Sequence, residues 1–239
     1  MSPAPRSPSA VRAIRAVLLK DLKTGWRSRA SLVAMLLFAA LMLTVFALAL
    51  PEASWSSEPS SRRLAAGILW VAIAFGGVLG LNQTFAAERE SNTIEGILLT
   101  PVDRGHLYLA KFLANLIFLL GVEVPLSALF VLFFDAQVGG DRILPFALVL
   151  VLGTVGFTAT GTLFAAISSS TRSREVLLPL MLLPIATPIL LAGIECTATI
   201  LEGYRITDPD VVKWLKLMVV FDVVSLVASF LTFEFLVEE

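Results

Sequence analysis

Two acidic residues inside apolar segments are the side chains of this sequence that suggest chemistry most strongly. Glu123 lies deep in one apolar segment, shortly before Pro125, and Asp222 lies in the last one. An ionisable side chain at the centre of a bilayer costs roughly 2.5 to 3.5 kcal/mol or more, so such residues are candidate functional positions. For Glu123 two interpretations stay open: it packs against Ser, Thr or Asn of a neighbouring helix, or it takes part in a conformational change.

Other patterns that support catalysis or metal binding are absent from the sequence. A single cysteine, Cys196, excludes an internal disulfide framework and a Cys-rich metal site. No G-x-x-x-x-G-K-[ST], H-E-x-x-H or G-x-S-x-G pattern occurs, so no catalytic residues are predicted and nucleotide hydrolysis would require another chain. His106, the single histidine, could ligate a metal or haem. Its position between Arg104 and Lys111 favours a surface or packing role.

The composition indicates that lipid is the main solvent of the chain. Of its 239 residues 57% are hydrophobic and 15% are charged, whereas roughly a quarter of the residues of a soluble domain are charged. The formal net charge of -1 gives no bulk basic surface that would favour nucleic acid as a partner. The sequence therefore predicts an integral membrane protein.

Six apolar segments predict an all-α, polytopic membrane protein. A helix of about 20 residues crosses the roughly 30 Å hydrocarbon core of a bilayer. The nominal A-x-A of Ala47 and Ala49 before Pro51 raises the alternative of a cleaved signal peptide, but the first apolar segment is longer than the roughly 7 to 15 residues of a signal core. The predicted spans, in one domain of residues 11–239 that follows a disordered Pro/Ser-rich stretch of residues 1–10, are 31–50, 64–87, 112–134, 143–167, 176–194 and 214–235.

A basic amphipathic helix is predicted before the first span. Its apolar residues recur every three to four positions, and its basic residues lie on other faces. A helix of this kind lies at the interface of an anionic membrane leaflet. The apolar residues are Val11, Ile14, Leu18, Leu22 and Trp26, and the basic residues are Arg12, Arg15, Lys20, Lys23 and Arg27.

The distribution of lysine and arginine predicts the orientation of the chain. Six spans place both termini on one side of the membrane, and that side carries twelve Lys and Arg residues against six on the other. Because cytoplasmic loops carry the excess of these residues, both termini and the connection between the second and third spans are predicted to be cytoplasmic.

That connection, FAAERESNTIEGILLTPVDRGHLYLAK, holds seven charged side chains in residues 85–111. Asn92 followed by Glu95 resembles a capping box, and Pro101 disfavours helix in the residue before it. A short helix is therefore predicted to end near Leu99.

The apolar residues of this short helix share one face, as expected for a helix that lies across a membrane surface. They are Ile94, Ile97 and Leu98. Asp103 can then cap a new helix that continues through Lys111 into the third span. A surface helix of this kind is suited to docking a cytoplasmic partner.

Two further features concern helix shape and packing. Three prolines in the fifth predicted span, Pro179, Pro184 and Pro188, predict a kinked or broken helix, which serves either as a bend at a packing interface or as a discontinuous helix that moves during transport. Small residues four apart permit close approach of helices within the chain or between two copies. They occur at Gly76/Gly80, Gly156/Thr160 and Gly161/Ala165.

Taken together, these elements resemble the permease half of a type-2 ABC exporter. The charged connection is the most diagnostic part, with Asn92 where that class usually has glycine. The residues that resemble the motif of the class are Glu88-Arg89-Glu90, Thr93-Ile94-Glu95, Leu98 and Pro101. What the resemblance implies is a membrane subunit moved by an ATPase on a separate chain.

Within this class the chain resembles the CcmB family, haem exporter B subunits of the cytochrome c maturation system. The resemblance extends from about Arg12 to the C-terminus and is most specific in the loops. The strings that carry it are RAVLLKDL, TPVDRGHLYLAKFLAN, SSSTRSREVLLPLMLLPIATPILLAG and the polar stretch ECTAT at 195–199.

The family resemblance implies a bacterial inner-membrane protein and a set of partners. These are the ATPase CcmA, the subunits CcmC and CcmD, indirectly the haem chaperone CcmE, and a second copy of the chain. No cofactor bound directly by this chain is predicted, and haem is expected only at the level of the complex. Two outcomes of ATP hydrolysis stay open: release of haem-loaded CcmE, or direct haem export. The ATPase-coupling surface implied by the resemblance consists of Glu88, Arg89, Glu90, Thr93, Glu95, Ile97 and Leu98.

Two alternatives remain at the level of the sequence. One is an ABC export permease for another substrate, such as a lipid, a drug or a polysaccharide. The other is a polytopic membrane enzyme or assembly scaffold that has no ATPase partner. Co-purification of a subunit with a Walker motif discriminates between an ABC permease and a scaffold.

Overall fold

The computed structural model describes residues 10–27, 29–50, 59–90, 104–169, 171 and 173–236. Within these residues the regular structure is entirely helical. The helices are α1 (Ala10–Arg27), α2 (Arg29–Ala49), α3 (Pro59–Glu90), α4 (Arg104–Phe133), α5 (Ile143–Ser169), α6 (Arg174–Leu201) and α7 (Pro209–Leu236), and a short 3-10 helix (Gly140–Arg142) precedes α5.

Helices α2 to α7 are each long and apolar enough to cross a membrane. Their apolar stretches have mean hydropathies between 2.0 and 2.7. The prediction of an all-α, polytopic protein with six spans is thereby confirmed, and the chain is a multi-pass membrane protein. The helices extend beyond the apolar segments that predicted them: α3 begins at Pro59 and α7 at Pro209. A proline suits the first position of a helix, because its fixed φ is already helical and the N–H that it lacks would have no intrahelical partner.

The spans run alternately up and down, so each connection lies at one of two ends of the bundle. One end, called here the α1 end, holds α1, the end of α3, the start of α4 and the turn from α5 to α6. The other, called the far end, holds the start of α3, the 3-10 helix and the turn from α6 to α7. The two ends are separated by helices of 21 to 32 residues, about 30 to 48 Å at 1.5 Å per residue.

Helix α6 is continuous from Arg174 to Leu201, so the predicted alternative of a broken helix is wrong. Each proline removes one N–H donor, and the hydrogen bonds of the neighbouring turns hold the helix together. The Thr187 hydroxyl adds a hydrogen bond to the Leu183 carbonyl at 2.9 Å, between the second and third prolines. The opposite face of α6 is buried through Leu178, Leu182, Ala186 and Ile189.

The indole of Trp70 lies at the junction of three helices. It belongs to α3, is 1% exposed, and donates a hydrogen bond from Nε1 to the Thr197 hydroxyl of α6 at 3.0 Å. Gly153 of α5 and Gly193 of α6 lie against the ring, and a Cβ added at either position would overlap with it. The two glycines therefore create the space in which the largest buried side chain of the core is held.

Small residues also explain how other helix pairs approach each other within the chain. Gly76 and Gly80 of α3 lie against Ala39 and Met35 of α2. Gly161 of α5 lies against Leu81 of α3 and Leu182 of α6. Because these positions are occupied by helices of the same chain, the small-residue motifs serve internal packing.

Replacing Gly153 with alanine tests the contact with Trp70. The added methyl would overlap with the indole, so we expect Gly153→Ala to lower the free energy of unfolding by about 1 to 3 kcal/mol, the usual loss for an overpacked core. The measurement is unfolding of the purified protein in detergent, followed by circular dichroism. Gly121→Ala in α4 is the matched control, because a Cβ there meets nothing within 4 Å. Equal losses in the two variants would contradict the proposed packing.

Candidate functional site

The predicted coupling residues begin in the last turn of α3 and continue along the sequence into the connection to α4. Helix α3 ends at Glu90 and α4 begins at Arg104, immediately after the predicted cap Asp103. Glu88, Arg89 and Glu90 are the last three residues of α3. The other four predicted coupling residues, Thr93, Glu95, Ile97 and Leu98, lie outside the described residues, as do Asp103 and the predicted capping box. Their coupling role therefore stays a prediction, and the two helices that flank the segment carry the described part of the site.

Helix α4 is tied to α1 by a buried ion pair. The Lys111 Nζ lies 3.0 Å from Asp21 Oδ2, and the Lys111 side chain is 1% exposed. One turn further along α1, Gly25 lies against the ring of Phe118. The second half of α1 thus packs along α4, and its predicted position at the membrane interface stays a prediction. A buried ammonium requires a counter-charge, because desolvation without one would be very costly.

Lys111 is a structural residue that sequence analysis did not identify. Its place in the sequence is that of a basic residue at the flank of a span. The only available signal was the acidic Asp21 in an otherwise basic helix, and nothing in the sequence pairs two residues that lie 90 positions apart.

Helices α4 and α5 are joined by a series of polar contacts, called here the polar seam, formed by Tyr108, Asn115 and Glu123 with their partners on α5. The Tyr108 hydroxyl donates to the Ala159 carbonyl at 3.0 Å. The Asn115 amide donates to the Thr162 hydroxyl at 3.1 Å. Such contacts hold transmembrane helices together, because lipid provides no hydrophobic force between them.

Among the three α4 residues of the polar seam, Glu123 lies furthest along the helix from the α1 end. Its side chain is 2% exposed and forms a hydrogen bond with the Thr154 hydroxyl of α5. The same hydroxyl lies 2.8 Å from the Leu150 carbonyl, which can only accept. A hydroxyl has one proton and can donate to only one of these oxygens at a time. The structure thus supplies the threonine partner that the first interpretation of Glu123 required.

Asp222, the second predicted intramembrane candidate, lies on the other side of α5. It belongs to α7, is 5% exposed, and packs against Gly156. Neither carboxyl oxygen of Asp222 has a hydrogen-bond partner among the residues that the structure describes. Most buried polar atoms in proteins have a partner, so an exception of this kind marks a position that is strained or functional.

Helix α3 is tied to α6 near the far end. Arg63 forms an ion pair with Glu195, and Trp70 donates to Thr197 two turns further into the bundle. Glu195 lies within α6, which extends seven residues beyond the predicted end of the span at residue 194. The two helices that flank the predicted coupling segment are therefore each fixed to neighbours by polar contacts.

The remaining titratable candidates lie apart from one another. His106 is half-buried in the first turn of α4. Cys196 is buried in α6, where its thiol lies 3.8 Å from the Val211 carbonyl. Among the described residues, no three His, Cys, Asp or Glu side chains are grouped as metal ligands would be. The contacts described above can position helices and transmit their movement.

Substitutions at Glu123 separate the hydrogen bond from the charge. Glutamine can still donate to Thr154, so we expect Glu123→Gln to leave the free energy of unfolding within about 0.5 kcal/mol of the parent protein. Glu123→Lys places a cation in the apolar interior and is expected to lower it by roughly 2.5 kcal/mol or more. The measurement is unfolding in detergent. Equal stability of the Lys and Gln variants would show that Glu123 is not held in the polar seam.

The ion pair between α1 and α4 is tested by removing one charge and then both. Lys111→Met removes the buried partner of Asp21, which then keeps only the half-exposed Lys20, whose Nζ lies 3.5 Å from its Oδ1. We expect the variant to lower the free energy of unfolding by up to about 3 kcal/mol, the loss for a broken buried pair. Adding Asp21→Leu removes the carboxylate and should restore most of the loss. The measurement is protease sensitivity of α1 together with unfolding in detergent. Additive losses in the double variant would contradict a direct pair.

Comparison with known proteins identifies the family of the chain. The sequence profile described as CcmB protein matches residues 12–237. A protein of Pseudomonas aeruginosa named "Heme exporter protein B" is 30% identical over 188 residues, which cover 78% of this chain and 81% of the relative. Its namesake in Rhodobacter capsulatus is 27% identical over 197 residues, covering 82% and 87%. The Haemophilus influenzae protein of the same name is 27% identical over 195 residues, covering 81% and 83%. The chain, a six-span helical membrane protein, therefore belongs to the CcmB family.

Proposed function

We propose that this chain is the permease subunit of an ABC transporter that handles haem during cytochrome c biogenesis. The observation that carries the proposal is membership of the CcmB family over nearly the whole chain, together with six membrane-spanning helices. Relatives with the name "Heme exporter protein B" support haem as the species handled. The chain itself acts mechanically, and ATP is hydrolysed by a separate subunit, CcmA.

The coupling surface receives the movement of the ATPase. In this proposal Glu88, Arg89 and Glu90 at the end of α3, with Thr93, Glu95, Ile97 and Leu98 in the connection to α4, contact CcmA on the cytoplasmic side. A push on this connection moves α3 and α4 as rigid bodies. The contacts of the two helices support this mechanism, because Lys111 ties α4 to α1 and the polar seam ties it to α5, while Arg63 and Trp70 tie α3 to α6.

The complex is proposed to lie in the bacterial inner membrane, with both termini of the chain in the cytoplasm. Twelve of the eighteen Lys and Arg residues lie on that side of the predicted spans, which supports the orientation. A second copy of the chain, CcmC and CcmD complete the assembly, and CcmE receives the haem. Exposed apolar side chains on α2 and α7 offer surfaces for lipid or for the second copy. Movement of the spans then either releases haem-loaded CcmE or exports haem.

Charge reversal at Glu95 tests the coupling surface. We expect Glu95→Lys to abolish or strongly reduce cytochrome c maturation. The substitution reverses a charge on the surface proposed to contact CcmA, and a charge that matched its partner then becomes repulsive. Membrane insertion should be unchanged, as measured by the amount of full-length protein in the membrane fraction. Glu175→Lys, which changes an exposed acid in the first turn of α6, is the control. Normal maturation in Glu95→Lys cells would remove Glu95 from the coupling surface.

Purification of the tagged chain from native membranes tests the proposal as a whole. Co-isolation of a subunit with a Walker motif supports an ABC permease, and its loss in Glu95→Lys supports the coupling surface. Isolation without such a subunit favours a scaffold. Labelling of a cysteine introduced at Glu95 by a membrane-impermeant maleimide, applied to spheroplasts and to inverted vesicles, tests the orientation. Labelling from the periplasmic side would contradict it.

A further inference from the structure

A polar recess opens at the far end of the bundle, on the side opposite the predicted coupling surface. The first turns of α3 and α7 and the last turns of α6 surround a cavity of about 300 Å³. Five charged side chains line it, in a chain in which only 15% of residues are charged. They are Arg63 of α3, Glu195 and Glu202 at the end of α6, and Asp210 and Lys213 of α7.

Both cations of the recess already have acidic partners. Arg63 forms an ion pair with Glu195. Lys213 Nζ lies 2.8 Å from Asp210 Oδ1 and 5.7 Å from the centroid of the Trp214 ring. Glu202, in contrast, has no ion pair among the described residues. The recess therefore has one carboxylate more than it has cations, and that carboxylate is Glu202.

The local backbone adds to the negative potential around Glu202. This residue directly follows Leu201, the last residue of α6, and its own N–H donates to the Ala198 carbonyl at 3.0 Å. The C-terminus of a helix carries a partial negative charge, which favours a nearby cation. Arg142 approaches the same turn and donates to the Leu201 carbonyl at 3.4 Å, outside the residues that line the recess.

An aromatic side chain lines the same recess as the unpaired carboxylate. Tyr204, two residues after Glu202, lines the recess and is 46% exposed. A carboxylate next to an accessible aromatic face suits a guanidinium group, which can form paired hydrogen bonds to the carboxylate and stack on the ring. A cavity of about 300 Å³ is at the lower limit for pockets that hold small molecules. Its size is suited to one or two inserted side chains.

We propose that this recess docks a basic segment of a partner polypeptide, with an arginine inserted against Glu202 and Tyr204. The segment belongs to a protein that works at the far end of the bundle, on the membrane side opposite the ATPase. The unpaired carboxylate and the exposed ring favour a cationic side chain, and the paired Arg63 and Lys213 leave no free cation among the described residues of the recess for an acidic one. The inference goes beyond the proposed haem function; only the placement of the partner opposite the ATPase rests on that function, and binding to the recess does not.

The test uses the intact chain in nanodiscs of phosphatidylcholine, whose zwitterionic headgroups give no competing charged surface. The probe is a short fluorescein-labelled peptide of alternating Arg and Ser, and binding is followed by fluorescence anisotropy. We expect saturable binding that weakens with salt. Glu202→Gln should weaken it about tenfold or more, the change expected when one charged hydrogen bond is lost. Tyr204→Ala should also weaken it.

Two controls make the result specific to the recess. Asp141→Asn removes the same charge from an exposed acid of the 3-10 helix at the same end, outside the recess, and should leave the affinity unchanged. The Glu202→Arg variant should no longer bind the Arg/Ser peptide and should bind a Glu/Ser peptide of equal length. Unfolding in detergent shows that each variant is folded. Equal affinity of Glu202→Gln and the parent protein, or an equal loss in Asp141→Asn, would overturn the proposal.

Discussion

The enclosure of the Trp70 indole between two glycines is the contact on which the packing of the bundle depends. It joins α3, α5 and α6 at one point. The ring packs closely against Gly153 and Gly193, and the indole N–H donates a hydrogen bond to Thr197. In lipid, apolar side chains gain nothing by leaving their solvent, so close fit and hydrogen bonds must hold helices together. A tryptophan supplies both, since its ring fills the space and its N–H fixes the orientation.

The helices on either side of the predicted coupling segment are held in different ways. Helix α4 has polar contacts along most of its length, from the ion pair at Lys111 to the hydrogen bond of Glu123 with Thr154. Helix α3 is held by close packing of Gly76 and Gly80 on α2, and the polar contacts with α6 described above lie towards its far end. Directional contacts resist rotation and sliding more than apolar ones do. A displacement applied between the two helices would therefore meet a stiffer element in α4.

The number of spans could be predicted from the sequence because bilayer thickness sets the length of an apolar helix. The helix starts at Pro59 and Pro209 were missed, since nearby charges end the apolar segments, although proline at a first position is a readable signal. Of the two alternatives predicted for α6, a bend or a discontinuous helix, the discontinuous helix was wrong. A proline shows which hydrogen bond of a helix is lost. Whether the hydrogen bonds of the neighbouring turns keep the helix continuous depends on its other residues.

Site residues were predictable only as candidates. The cost of a charge in lipid identified Glu123 and Asp222, but periodicity gives the face of a helix and not the residue that faces it on another helix. The pairing of Glu123 with Thr154 and of Asp222 with Gly156 could therefore not be predicted, nor could the pair of Lys111 with Asp21. The residues of the predicted coupling surface beyond Glu90 lie outside the described part of the chain, so those assignments keep the support of the resemblance alone.

The contrast between the two sides of α5 has a mechanical consequence. Towards α4, Thr154 forms a hydrogen bond with Glu123; towards α7, Gly156 meets a carboxyl group that no described residue satisfies. Separating α5 from α4 would break the hydrogen bond of Thr154 with Glu123, whereas separating α5 from α7 would break no side-chain hydrogen bond of Asp222 among the described residues. At these two acids, hydrogen bonding therefore opposes separation of α5 from α4 and not from α7.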